Sequence, residues 1–178
     1  MALAQNEERQ VKNNVMNILA SVRGTSQFWF RSRCEVLTMI RELGPPTWFV
    51  TLSAGEYEWA DIEDHLRLVN PDMPEKMTIS ELCAFDPVTV AHHFRLREEA
   101  VLQFIKNGKP LGQVEHYFIR LEYQAGGAGH YHCLLWVKDA PVVGKSSEED
   151  IADFVTQYET CELPDRISNP QLHELVTK

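Results

Sequence analysis

The sequence predicts an α+β fold in which helices flank a central antiparallel sheet. Residues 116–123 and 130–137 are rich in aromatic and β-branched side chains and alternate with period two, and Gly126, Gly127 and Gly129 mark a turn between them. That is the pattern of a hairpin. Apolar residues at helical spacing fill much of the remaining chain, and neither an internal repeat nor a long linker interrupts it. With 178 residues and 44% hydrophobic content the chain can bury a core of its own, so strands and helices should form one layered structure.

Taken in order, residues 5–21 read as a helix whose stripe runs through Val11, Val15, Ile18, Leu19 and Val22. A second helix covers Ser26–Leu43 and is stopped by Gly44 and the Pro45-Pro46 pair. Trp48–Ser53 is the first strand, and residues 59–69 are helical up to Asn70-Pro71. Asp86 or Thr89 caps a helix through Val90, Phe94, Val101, Leu102 and Ile105, closed by Asn107-Gly108. After the hairpin, Ser146 or Ser147 with Glu149 or Asp150 has the form of a capping box, opening a helix through Ile151, Phe154 and Val155. Pro164 and Pro170 frame a loop before a short last helix. The expected organisation is a single domain over residues 1–178: a helical part at 1–45, a sheet core with helices at 46–138, and an acidic helical tail at 139–178.

The hairpin carries the chemistry. If its loop is residues 125–129, Gln124 lies opposite His130 and Glu122 opposite His132, with paired Cβ atoms roughly 4.5–5.5 Å apart. All four side chains then project from one face, and two imidazoles with a carboxylate on a sheet imply metal-dependent chemistry. Cys133 points to the opposite face and reads as core. The plainer alternative makes the histidines ordinary surface residues. Other His-x-His folds fit badly: a metallo-β-lactamase pattern wants an Asp where Leu134 stands, and a cupin wants a Glu where Leu135, Trp136 and Val137 follow. There is no Cys-x-x-Cys pair to complete a zinc knuckle.

The net charge of −9 is an unusual balance for a nucleic-acid binder, which neutralises phosphates with Lys and Arg. The charge is unevenly spread. From Asp139 onward nine acidic residues face three basic ones, whereas residues 1–50 carry six basic and four acidic. Arg23, Arg31, Arg33 and Arg41 are interleaved with Phe28, Trp29 and Phe30, a mixture that can stack bases and hold phosphates of a single strand. An amphipathic helix with core aromatics and solvated arginines accounts for the same pattern. No apolar run approaches the roughly 20 residues that span a bilayer, and no basic-then-apolar leader signals secretion. Four scattered cysteines suit a reducing compartment, with free thiols expected.

Four stretches carry a resemblance to a known family. They are Arg23-Gly24-Thr25-Ser26-Gln27-Phe28-Trp29, Leu43-Gly44-Pro45-Pro46-Thr47-Trp48-Phe49-Val50-Thr51-Leu52-Ser53, Ala91-His92-His93-Phe94-Arg95, and Glu122-Tyr123-Gln124 followed by His130-Tyr131-His132. Together these resemble the HUH-type replication-initiator nuclease domain of Helitron rolling-circle transposons, the Helitron helicase-like N-terminal domain. The chain departs from the family where an Arg-Gly-Leu-Pro-His run is usual and Gly127-Ala128-Gly129-His130 stands instead.

The resemblance implies an HUH nuclease fold with His-x-His on a central strand and the strand of Thr51 and Ser53 beside the hairpin at the sheet centre. It implies a rolling-circle transposase domain that nicks and joins single-stranded DNA, in which a tyrosine forms a 5′-phosphotyrosine and releases a 3′-hydroxyl. A Mn²⁺ or Mg²⁺ ion held by His130, His132 and an oxygen ligand would serve that reaction. Glu122 is the preferred third ligand, since a carboxylate suits a hard cation better than an amide, and Gln124 is the alternative. The plainer alternative is that Glu122 simply neutralises the histidines or pairs with Arg120, a surface contact of little energetic weight.

Tyr158 is the one tyrosine downstream of His132. Its surroundings resemble a family stretch that precedes the catalytic tyrosines, so it reads as a packing residue. The nucleophiles are then expected beyond Lys178, in a longer polypeptide that also carries a helicase, acting in the nucleus. Two other readings are a non-cutting module that binds metal and single-stranded DNA, as in a truncated or domesticated transposon protein, and an interaction domain that keeps only the fold, for which the acidic tail speaks.

Overall fold

The computed structural model describes residues 2–55, 57–123 and 129–177, with the side chains of residues 2–9 and 11 left aside. Among them are seven helices and three strands, in the order α1 (Ala2–Leu19), α2 (Ser26–Leu43), β1 (Trp48–Ser53), α3 (Ala60–Val69), α4 (Ile79–Phe85), α5 (Pro87–Gly108), β2 (Val114–Tyr123), β3 (Gly129–Val137), α6 (Glu148–Tyr158) and α7 (Pro170–Thr177). The three strands form one antiparallel sheet in the order β1-β3-β2. The expected α+β class holds. One placement is corrected: the strand of Thr51 and Ser53 lies beside the hairpin but at the sheet edge, and β3 takes the centre.

Local chemistry accounts for the boundaries. Thr25 accepts from the Phe28 backbone N–H at 3.2 Å, satisfying one orphan donor at the start of α2. Gly44, at φ 84°, ends that helix in a region L-residues rarely enter. Asp86 rather than Thr89 caps α5, accepting from both the backbone and the hydroxyl of Thr89. A bond from Asn70, together with those from Thr89, holds its carboxyl below the usual carboxylate range. Ser147 caps α6 by accepting from the Asp150 N–H. The sequence reading missed α4, although its capping box is complete: Thr78 accepts from Glu81 N–H while Glu81 accepts from Thr78 N–H.

Alternation along β3 puts Tyr131, Cys133 and Leu135 on one face, where they form a core with Phe94 and Ile105 of α5. Trp48, Val50 and Leu52 of β1 pack on the same face. A second, smaller core joins α3 and α4 through Ile62, Leu66, Leu82 and Cys83, closed by Trp59 and Val90. No disulfide joins the four cysteines, and burial pushes the Cys133 thiol up to about 11, so it stays protonated and inert. Among the described residues no helix is long and apolar enough to cross a membrane.

Glu98 of α5 is the exception in this core, with 5% exposure and an Oε1 that has no hydrogen-bond partner. Burial raises its pKa, the nearby Glu99 adds to the rise, and a bond from Tyr131 opposes it. A carboxyl whose folded pKa lies above its unfolded value favours the fold when protonated and loses stability as pH rises towards the raised pKa. Glu98→Gln is therefore expected to raise Tm at about pH 7, where the wild-type carboxyl is driven to ionise, and to leave it nearly unchanged at about pH 4. Thermal melts at the two pH values check this.

Candidate functional site

Opposite the core, the sheet presents three rows of side chains. Ser53, His130 and Glu122 make the first; Thr51, His132 and Arg120 the second; Phe49, Leu134 and Phe118 the third. The expected register is corrected here. Tyr123 pairs with Gly129, so Glu122 stands opposite His130 and Arg120 opposite His132. Two contacts from outside the hairpin hold Gly129: Ala54 N–H donates to the Gly129 carbonyl at 3.1 Å, and the Phe94 ring fills the space where a side chain at Gly129 would stand. Because the pairing moves by two positions, every side chain keeps its face. Gln124, the alternative third ligand, falls outside the described residues.

The two imidazoles lie 4.5 Å apart, edge to face. His130 Nδ1 is 2.8 Å from Ser53 Oγ. In the tautomer that donates from Nδ1 to the serine, the Nε2 lone pair is left for a ligand, the usual arrangement behind a metal-binding histidine. His132 Nε2 is 3.6 Å from Glu122 Oε2, while its Nδ1 is buried with no partner. Glu122 spends its other oxygen on Arg120 at 2.9 Å. The Arg120 guanidinium lies 4.4 Å over the Trp29 ring, and Phe49 stacks on His132 with centroids 5.4 Å apart. Among the described residues no three His, Cys, Asp or Glu already converge as a metal-ligand set.

The donor set nonetheless suits a borderline divalent ion. It has two imidazoles, one held by a hydroxyl and one with an orphaned buried nitrogen, and a carboxylate within 3.6 Å. Sequence reasoning placed Glu122, His130 and His132 on one face of the sheet but missed Ser53 as the hydrogen-bond partner of His130, and missed Phe49 and Trp29 as neighbours of His132 and Arg120. The alternation in Trp48–Ser53 was the available signal for Ser53, since it puts 49, 51 and 53 on one face. Where His130 serves as a metal ligand, Ser53→Ala should leave the fold intact and weaken Mn²⁺ binding roughly 10- to 100-fold, measured by calorimetry.

The basic residues of the N-terminal part divide. Arg23 donates to the Leu121 carbonyl at 2.8 Å, on the free edge of β2, and lies 5.9 Å from the Tyr123 ring. Trp29 receives Arg120. Arg31 instead pairs along its own helix with Glu35 at 3.1 Å, and Arg33 is exposed on α2. Tyr158 packs edge-on to Trp48 at 6.0 Å and against Phe154 at 5.0 Å, on the core side of the sheet, away from the histidines.

Within the His92-His93 stretch, His93 belongs to a network that joins α5 to α3. His93 Nε2 accepts from Arg97 at 3.0 Å, and Arg97 also reaches Asp61 of α3 and lies 4.7 Å over Trp59. Burial lowers the His93 pKa against the pull of Asp61. Trp59 in turn stacks on Phe94, which abuts Tyr131 between His130 and His132 on β3.

β1, β2, both histidines and all four motif stretches fall inside one comparison. A family model described as the Helitron helicase-like domain at N-terminus matches residues 2–135, which takes in β1, β2 and both histidines of β3 but stops before α6 and Tyr158. No curated protein matches the chain. The match supports a Helitron-associated function and covers most of the sequence, so this chain belongs to the family of Helitron helicase-like N-terminal domains.

Proposed function

We propose that this chain is the metal-dependent, HUH-type domain that nicks and joins single-stranded DNA in a Helitron-like rolling-circle transposase. The observation that carries the reading is the pair His130 and His132 on the middle strand, with Ser53 behind one ring and Glu122 within 3.6 Å of the other. His130, His132 and Glu122 would hold Mn²⁺ or Mg²⁺, with Gln124 as the alternative oxygen donor. Bound there, the ion would polarise the scissile phosphate and neutralise charge developing on it. Ser53 keeps the His130 ring oriented. Arg120 holds Glu122 in place against Trp29 and adds positive charge beside the phosphate path.

The nucleophile in this reading is a tyrosine outside residues 1–178. It attacks the scissile phosphorus, forms the tyrosyl 5′-phosphodiester and expels the 3′-hydroxyl; joining is the reverse. Tyr158, on the core side of the sheet, supports that assignment. The same position favours a second reading, a module that binds metal and single-stranded DNA without cutting. A helicase in the same polypeptide and a nuclear site of action go with either reading.

Labelled single-stranded DNA incubated with the purified chain and Mn²⁺ tests this. Expected is binding that EDTA reverses, with no adduct surviving denaturation and no change in Tyr158→Phe. An adduct lost in Tyr158→Phe would make that residue the nucleophile, and absence of metal-dependent binding would overturn both readings.

A further inference from the structure

We propose that Phe49 is the platform on which one base of the single strand stacks beside the metal site, an assignment that rests on the function proposed above. Phe49 stands on β1 one row from His132, and its ring lies nearly parallel to the imidazole, 7° between planes at 5.4 Å. One face of the ring is spent on that contact, yet the residue is 64% exposed. A lone surface aromatic is ordinary on any protein. This one touches a ligand histidine and opens on the same face of the sheet.

The surroundings fit a nucleotide. Leu134 and Phe118 continue the row of Phe49 across the sheet, giving apolar surface without directional hydrogen bonds. Proteins that hold single strands irrespective of sequence bind bases this way, on π-faces, while cationic side chains track the backbone. Arg120 supplies the cation from the opposite side of His132, two strand spacings or about 10 Å from β1, with Arg23 further along the β2 edge. A strand crossing the site thus meets an aromatic ring on β1 and a guanidinium on β2, with both imidazoles between them.

The test is fluorescence anisotropy in Mn²⁺ with wild type, Phe49→Ala, Phe49→Leu and Phe49→Trp. Each is run on an intact single strand and on strands carrying one abasic site at successive positions. Expected is binding weakened roughly 5- to 100-fold in Phe49→Ala and Phe49→Leu and retained in Phe49→Trp. An abasic site at one position should weaken wild type by a similar factor and leave Phe49→Ala unchanged, a coupling that a purely structural role would not produce. Mn²⁺ affinity by calorimetry should match wild type in all variants. Phe49→Leu also keeps apolar bulk on β1, so the comparison stands if alanine loosens the strand. Wild-type affinity in Phe49→Ala or Phe49→Leu, no position-specific abasic coupling, or a parallel fall in Mn²⁺ affinity would overturn the platform and leave the nicking function standing. Failure of wild type to bind single-stranded DNA would overturn both.

Discussion

His130→Ala/His132→Ala is expected to abolish Mn²⁺-dependent binding of single-stranded DNA while the chain stays folded. Removing a group that merely orients a ligand costs about 10- to 100-fold in metal affinity, so losing two ligands should exceed that range. Stability should not follow. Both rings lie on the half-open face opposite the core, and His132 carries a buried Nδ1 with no partner. Deleting an unsatisfied buried nitrogen removes a desolvation penalty, which offsets the packing lost with Phe49. Anisotropy with and without EDTA, beside a thermal melt, separates the outcomes. Loss of binding with wild-type Tm supports the site, and loss of both would make the histidines structural.

Gly129→Ala should damage fold and site together. A Cβ at this position would stand 2.3 Å and 2.5 Å from Cε1 and Cδ1 of Phe94, well inside contact distance. The ring has little room to withdraw, since Phe94 is buried and abuts Trp59 on one side and Tyr131 on the other. Overpacking of this kind costs about 1–3 kcal/mol, a fall in Tm of several degrees for a chain of this size. The same displacement would move the Gly129 carbonyl off Ala54 N–H and shift His130, so Mn²⁺ affinity should fall too. Adding Phe94→Leu should restore part of both losses, and a double-mutant cycle in Tm and in calorimetry checks the coupling.

What could be read from the sequence was local. Ser26–Leu43 and Trp48–Ser53 coincide with α2 and β1 because Thr25, Gly44 and the following prolines are strong signals within a few residues of the boundary. The facing of Glu122, His130 and His132 was legible for a related reason, since strand alternation has a period of two whatever the loop does. The exact pairing was not. Alternation is the same for any even shift of the pairing, and Gly129 is held by Ala54 and Phe94, which reach it from distant parts of the chain. The place of β1 was misassigned on similar grounds, because whether a strand is flanked on both sides is a tertiary fact. The short α4 was missed for a different reason: its seven residues show too little periodicity, although Thr78 and Glu81 spelled out its cap. Ser53 behind His130 and Trp29 under Arg120 join residues far apart in sequence, and no spacing rule reaches that far.

Electron spin echo spectroscopy of the chain loaded with Mn²⁺ tests the central claim most directly, because it distinguishes imidazole ligation from binding by the many carboxylates of the acidic tail. Nitrogen couplings to the manganese should be present in wild type and absent in His130→Ala/His132→Ala. Mn²⁺ bound without nitrogen couplings, or with couplings that persist in the double variant, would contradict the metal site on which the proposed function stands.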